Sequence, residues 1–193
     1  MQYVMTPYST PMEPLAWWDG AFTESELDWL QNYAKSSDTA AFVGGRENNS
    51  VNKSIRRSQV SWLQNTQEAT WVFAKLADVA SELNAKFFRF DLTGFGEALQ
   101  MTNYNSSEGG MYGWHVDYGG NISRKLSLVV QLSHPTDYEG GELQLKTDAN
   151  GLTVKKQRGF IVAFPSYVLH QVTPVTKGNR QSLVAWISGP PFK

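Results

Sequence analysis

Apolar and polar positions follow two different periods along this chain, and the change falls near Lys86. Before it the spacing is helical. Thr23-Glu24-Ser25-Glu26 has the spacing of a capping box, in which the first and last side chains satisfy each other's free backbone N–H groups. Leu27, Leu30 and Ala34 follow at helical intervals, flanked by Trp29 and Tyr33. A polar stretch over 44–54 then predicts a mobile loop. Ile55 to Leu63 alternates in part and predicts a strand. Asn65-Thr66-Gln67-Glu68 looks like a second helix start. Behind it Val72, Phe73, Leu76, Val79, Ala80 and Leu83 make one apolar face, so this helix should run to about Asn84.

After Lys86 the period becomes two. Short strands are predicted at 87–90, 97–104, 114–118, 125–133, 142–146, 152–155, 159–164, 169–174 and 181–188. Glycine-rich turns separate them, among them Gly109-Gly110, Gly119-Gly120, Gly140-Gly141 and Lys177-Gly178-Asn179. Asn150-Gly151 reads as a two-residue hairpin turn. Many short strands after two helices predict an α+β fold with a closed or two-layer antiparallel sheet. The last eight strands suit a double-stranded β-helix, the cupin-like jelly roll, with the N-terminal helices as support. The expected organisation is one domain over 1–193, with 1–86 as helical support and mobile loop and 87–193 mainly jelly-roll strands.

Composition narrows the function classes. The 193 residues are 41% hydrophobic and 18% charged, the balance of an ordinary globular protein. A net charge of −1 gives no broad electrostatic footprint for nucleic acid or anionic lipid. There is no cysteine, which excludes disulfides, thiolate metal sites and a cysteine nucleophile. Met1 to Ala21 lacks a basic patch followed by an apolar run, and no stretch is long and apolar enough to span a bilayer. The expected location is the cytoplasm.

Four residues carry the candidate chemistry. His115 and Asp117 stand two apart in Gly113-Trp114-His115-Val116-Asp117-Tyr118, so on a strand they share a face. His170 heads a later predicted strand and could supply a third ligand from across the sheet. Two imidazoles and one carboxylate are the ligand set of a non-haem Fe(II) facial triad, which leaves three coordination positions open. Arg180 follows ten residues after His170, and its guanidinium could hold a carboxylate in two parallel hydrogen bonds. Ser182 shares its face and could add a hydroxyl. Each residue also has a plainer reading: a hydrogen-bonded histidine at a strand end, a surface arginine at a strand start. The ordered set of four favours the site. His134, before Pro135 in a predicted loop, reads as solvent-facing.

These motifs resemble the 2-oxoglutarate- and Fe(II)-dependent dioxygenases of the prolyl 4-hydroxylase type. The resemblance is strongest from Gln100 to Trp186. It rests on Gln100-Met101-Thr102-Asn103-Tyr104, on Gly110-Met111-Tyr112-Gly113-Trp114-His115-Val116-Asp117, and on the Tyr138-Glu139-Gly140-Gly141-Glu142-Leu143 turn. Pro165-Ser166-Tyr167-Val168-Leu169-His170-Gln171-Val172 and Arg180 complete it. The Gly-Gly-Glu-Leu turn resembles bacterial hydroxylases, and Ile55 to Leu63 resembles the segment after the finger loop of hypoxia-type prolyl hydroxylases. The resemblance implies Fe(II) on His115, Asp117 and His170, and 2-oxoglutarate on Arg180 with help from Tyr104. Gln131 stands where some relatives place a second tyrosine contact. The implied reaction couples oxidative decarboxylation of 2-oxoglutarate by O2 to hydroxylation of a C–H bond, with ascorbate as an accessory reductant.

The resemblance places Tyr112 and Trp186 beside the substrate. Arg57, with Lys53 and Arg56, could line the approach of an acidic or carbonyl-rich peptide, although a solvated basic face is an equal reading. The 44–54 loop could close over the site as a lid. The expected partner is a peptide or protein substrate. A free amino acid or other small molecule is the alternative. A nucleic-acid demethylase ranks lower, because position 186 is Trp where that family usually has a second arginine. A non-catalytic binding module also ranks lower, since all four site residues are intact.

Overall fold

Alternation along four strands builds two cores at once. The computed structural model describes residues 13–35, 39–40, 52–119 and 121–191. In chain order the strands are β1 (Ala16–Trp18), β2 (Thr39–Ala40), β3 (Arg56–Arg57), β4 (Gln59–Leu63), β5 (Gly94–Phe95), β6 (Leu99–Asn105) and β7 (Met111–His115). They continue as β8 (Arg124–Gln131), β9 (Tyr138–Gly140), β10 (Leu143–Leu145), β11 (Leu152–Thr153), β12 (Ile161–Pro165), β13 (His170–Val172) and β14 (Val175–Ser188). Two helices, α1 (Glu24–Lys35) and α2 (Thr70–Leu83), precede most of them. Among the described residues nine strands form a large antiparallel sheet, ordered β1-β12-β8-β14-β6-β4-β2, with β5 and β9 also on β14. The other five form a smaller sheet, β11-β10-β13-β7-β3.

The large sheet is buried on both faces. Leu126, Leu128 and Val130 of β8, Leu183, Ala185 and Ile187 of β14, and Ile161 and Ala163 of β12 join Leu27, Leu30, Val72, Leu76 and Leu83 of the helices in one core. The residues between them, such as Val129, Val162 and Phe164, join Leu143, Leu145 and Val172 of the small sheet in a second core. This is the two-layer jelly roll that the alternation predicted, with helices supporting its outer face. The burial explains the apolar stretches 128–130 of β8 and 183–187 of β14, where both faces of the sheet are covered.

Local predictions met their competitors here. The capping box forms: the Thr23 N–H donates to Glu26 Oε2 at 2.8 Å, and the Glu26 N–H donates to Thr23 Oγ1 at 3.3 Å. The six predicted apolar positions of α2 are its buried face. That helix, however, starts at Thr70 rather than near Asn65, and no side chain caps its first turn. The strand expected at 87–90 is instead a π-helical turn, Asn84–Phe88, that continues α2 and ends at Arg89 with φ 57°. Asn84 closes it, since its side chain bonds both the N–H and the carbonyl of Phe90. Asn150-Gly151 is not a two-residue hairpin, because the paired residues are Leu145 and Leu152 and the loop between them is longer. Asp148 Oδ1 accepts the N–H groups of Asn150 and Gly151, both at 2.8 Å, and this side-chain turn displaces the hairpin geometry. Positions 44–51 of the predicted mobile loop lie outside the described residues.

The Gly-Gly-Glu-Leu turn leaves Glu142 in a polar clasp. Thr173 Oγ1 donates to its carboxylate and Lys156 Nζ lies 3.1 Å away. The Thr173 bond, then Lys156, outweighs partial burial and holds the carboxyl below its ordinary 4.5. A depressed carboxyl stabilises the fold above the unfolded value and stops doing so as pH falls through the folded value. Glu142→Gln should therefore lower the thermal midpoint at neutral pH. The gap from the unsubstituted protein should close as pH drops below about 4. Melting curves between pH 2.5 and 7 check this, and a gap that does not narrow in acid would contradict it.

Candidate metal and co-substrate site

The antiparallel register of β7 and β13 sets His115 directly opposite His170. Their ring centroids lie 4.1 Å apart. β7 ends at His115, so Asp117 sits beyond the strand and not on it as the spacing had suggested. The backbone N–H groups of Asp117 and Tyr118 both donate to the Ser166 carbonyl, at 2.9 and 2.8 Å, and this turn swings the carboxylate back to the histidines. Asp117 Oδ1 lies 3.8 Å from His115 Nε2, and Oδ2 lies 3.5 Å from His170 Nε2. One ligand atom from each of the three lies within 4.8 Å of the others.

The second ring nitrogens fix the tautomers. His115 Nδ1 bonds the Gly113 carbonyl at 2.8 Å, and His170 Nδ1 bonds the Val168 carbonyl at 2.9 Å. A carbonyl only accepts, so Nδ1 carries a hydrogen in both rings and Nε2 is the ring atom turned to Asp117. Burial first, and then His170, pushes His115 down to about 3, so its Nε2 stays unprotonated at neutral pH. Burial alone would push Asp117 up; the two imidazoles, Trp186 and Ser127 outweigh it and hold the carboxyl below its usual range. Ser127 Oγ donates to Asp117 Oδ2 at 2.7 Å and meets Ser166 Oγ at 3.0 Å. Two imidazoles and a carboxylate, each held by its own hydrogen bond, fit a divalent transition metal with open positions.

Sequence reading had missed Ser127. Its signal was a small polar residue inside the apolar run Leu126-Ser127-Leu128. Ser127→Ala should weaken divalent metal binding about tenfold or more, because groups that orient a ligand carry effects of that size. Mn(II) titration followed by electron paramagnetic resonance measures this, and an unchanged affinity would remove Ser127 from the site.

Arg180 lies at the other end of the same interior face. It is 1% exposed and pairs across the sheet with Tyr104. Nη2 donates to Gln131 Oε1 at 2.9 Å and Nη1 to Ser182 Oγ at 3.3 Å, while Nε has no partner. The Tyr104 ring lies 5.3 Å from Cζ. No carboxylate pairs with Arg180 among the described residues. A buried guanidinium with only neutral partners costs stability unless an anion joins it. Gly141 keeps this end of the site open, since a Cβ on it would lie 3.0 Å from Arg180 Cδ.

Tyr112 stacks on His115, with centroids 3.5 Å apart and planes 13° apart. Trp186 is buried against Trp62 and lies under the Arg124 guanidinium, 3.7 Å from its ring. Arg124 is itself bonded to both carboxylate oxygens of Glu97, at 2.6 and 2.7 Å. Arg57 is spent on backbone, donating to the Gly109 and Lys53 carbonyls. Arg56 turns inward and lies over Tyr112 instead. His134 is exposed, as expected.

Residues 99–188 match the model of the 2OG-Fe(II) oxygenase superfamily, and that span holds all four candidate residues. Within this chain, residues 99–188 are thus similar to the 2OG-Fe(II) oxygenases. A PKHD-type hydroxylase of Hyphomonas neptunium is 41% identical over 88 residues, covering 42% of this chain and 39% of the relative. One from Synechococcus sp. is 45% identical over 87 residues, covering 42% and 38%. The match thus spans about two fifths of the length of these curated relatives. The fold is similar to that of a Pseudomonas putida prolyl-4-hydroxylase, with TM-score 0.73, 19% identity, and 92% and 94% of the two chains covered. It is also similar to a Trichoplax adhaerens prolyl hydroxylase in complex with a hypoxia inducible factor peptide fragment, with TM-score 0.75, 17% identity and coverage of 91% and 84%.

Proposed function

We propose that this chain is an Fe(II)- and 2-oxoglutarate-dependent hydroxylase acting on proline in a peptide or protein. The observation that carries the reading is the pairing of two features on one interior face. One is the His115–Asp117–His170 cluster; the other is a buried Arg180 with no carboxylate partner among the described residues. His115, Asp117 and His170 would hold Fe(II). Arg180 would take the far carboxylate of 2-oxoglutarate, with Tyr104, Gln131 and Ser182 around it. Bound iron would supply the O2 chemistry that links decarboxylation to C–H hydroxylation. The chain's own part is to orient the keto acid, keep water out and present one C–H bond. Tyr112 and Trp186 give that bond aromatic walls.

The prolyl reading draws on the relatives' names and on the aromatic walls, which suit a pyrrolidine ring. A free amino acid is the second reading, favoured by the inward-facing Arg56, since a guanidinium suits a free carboxylate. Ascorbate fits as the accessory reductant that keeps iron ferrous. The lack of cysteine fits the cytoplasm, and no helix among the described residues is long and apolar enough to cross a membrane. The test is mass spectrometry after incubation with Fe(II), 2-oxoglutarate, O2 and proline-containing peptides. A gain of about 16 Da on a peptide, with succinate formed in step, is expected from insertion of one oxygen atom. Succinate formation without any modified peptide would favour the small-molecule reading, and no succinate at all would overturn both.

A further inference from the structure

Arg56 places a second buried guanidinium in the site. It is 6% exposed, at the start of the minor sheet's edge strand β3. Nε donates to Ser58 Oγ at 2.8 Å and Nη2 to Gln100 Oε1 at 2.9 Å. Both partners are neutral, and no hydrogen bond engages Nη1 among the described residues. Arg56 makes no ion pair there either, whereas its neighbour Arg124 is matched by Glu97. The guanidinium lies 4.5 Å from the Tyr112 centroid, and Tyr112 stacks on His115 at 3.5 Å. Tyr112 therefore touches both this cation and a candidate metal ligand.

Its position along β6 gives it a direction. Gln100, Thr102 and Tyr104 alternate with Met101, so they share the face opposite the helices. Arg180 lies at the Tyr104 end of that row and Arg56 at the Gln100 end. Four residues of strand separate the two ends, roughly 13 Å. Trp62 pairs with Gln100, and Trp62 meets Trp186, so Arg56 shares its end with the aromatic walls. One guanidinium thus serves the co-substrate end and the other the opposite end.

We propose that Arg56 anchors the substrate itself, through a carboxylate or an amide carbonyl oxygen, and so decides which substrates are accepted. The proposal rests on the hydroxylase reading above. An oxygen acceptor on Nη1 satisfies a cation that the fold buries without a counter-charge, and the Tyr112 face holds the fork in place. Arg124, the guanidinium over Trp186, is already matched by Glu97.

The test uses the full chain with Mn(II) in place of Fe(II) and saturating 2-oxoglutarate, so that no turnover occurs. Calorimetry measures binding of two probes, N-acetyl-L-proline and N-acetyl-L-prolinamide. Arg56→Gln is expected to weaken at least one probe about tenfold or more, the scale of a lost charge-assisted bond. A larger loss for the acid assigns a carboxylate; an equal loss for both assigns a carbonyl. Arg56→Lys keeps the charge without the fork and should bind the acid with intermediate affinity; it also serves if the glutamine variant does not fold. Three outcomes would overturn the proposal: unchanged binding of both probes, no binding of either by the unsubstituted chain, or an equal fall in 2-oxoglutarate affinity, which would mark Arg56 as a brace for the sheet. Failure of the hydroxylase reading would show separately, as no Fe(II)-dependent succinate from the unsubstituted chain.

Discussion

His170→Ala is expected to reduce Fe(II)-dependent conversion of 2-oxoglutarate to succinate to background. In the proposed metal set His170 would contribute one of three ligand atoms, and its Nδ1 is already tied to the Val168 carbonyl. Removing it leaves two ligands, one of them a carboxylate whose Oδ2 has lost its imidazole neighbour. Three ligands on one face are what hold the metal while leaving positions for co-substrate and O2. His115→Ala and Asp117→Ala should behave alike. Succinate assays with saturating iron check this, and undiminished turnover in any of the three would remove that residue from the metal set. Loss of metal binding, read by Mn(II) titration of the same variants, separates a ligand defect from a substrate defect.

Arg180→Met is expected to weaken 2-oxoglutarate binding about a hundredfold, the scale of losing two charge-assisted hydrogen bonds. Methionine keeps the length and removes the charge. The thermal midpoint should hold or rise, because the native side chain is buried with neutral partners only. The lost bond to Gln131 Oε1 is the opposing term. Sites commonly give up stability in this way to keep a binding group poised. Co-substrate titration, followed by charge-transfer absorbance of the Fe(II) complex, gives the affinity, and calorimetric melting gives the midpoint. An unchanged affinity would place the co-substrate elsewhere. A large fall in midpoint would show that Arg180 holds the sheets together rather than waiting for a ligand.

Much of the fold was legible because the two periods report burial directly. Val72, Phe73, Leu76, Val79, Ala80 and Leu83 form one stripe in sequence and one buried face in the structure. The longer strands of the large sheet, β4, β6, β8, β12 and β14, were legible for the same reason, whereas the two- and three-residue strands β1, β2, β5 and β9 are too short to show a period. The failures were local competitions. Phe87 to Phe90 has strand-like residues, yet Asn84 captures the backbone of Phe90 and prolongs the helix. Asn150-Gly151 has hairpin chemistry, yet Asp148 reaches its N–H groups first. In each case a side chain bonded the backbone within a few residues, which hydrophobic period does not record.

The sequence by itself determined the chemical inventory: two histidines, an aspartate and an arginine in order, no cysteine, and a period-two pattern able to put them inside a sheet. Only the tertiary structure decided that they meet. The register that sets His115 against His170 depends on residues far apart in the chain, and slipping it by one would turn one ring outward. Asp117 reaches the histidines through a turn held by the Ser166 carbonyl, not by strand alternation. Arg56 and Arg57 are neighbours of the same type, and β3 turns one toward Tyr112 and the other onto backbone carbonyls. Which arginine faces the site follows from strand parity, and parity is set by pairing across the sheet.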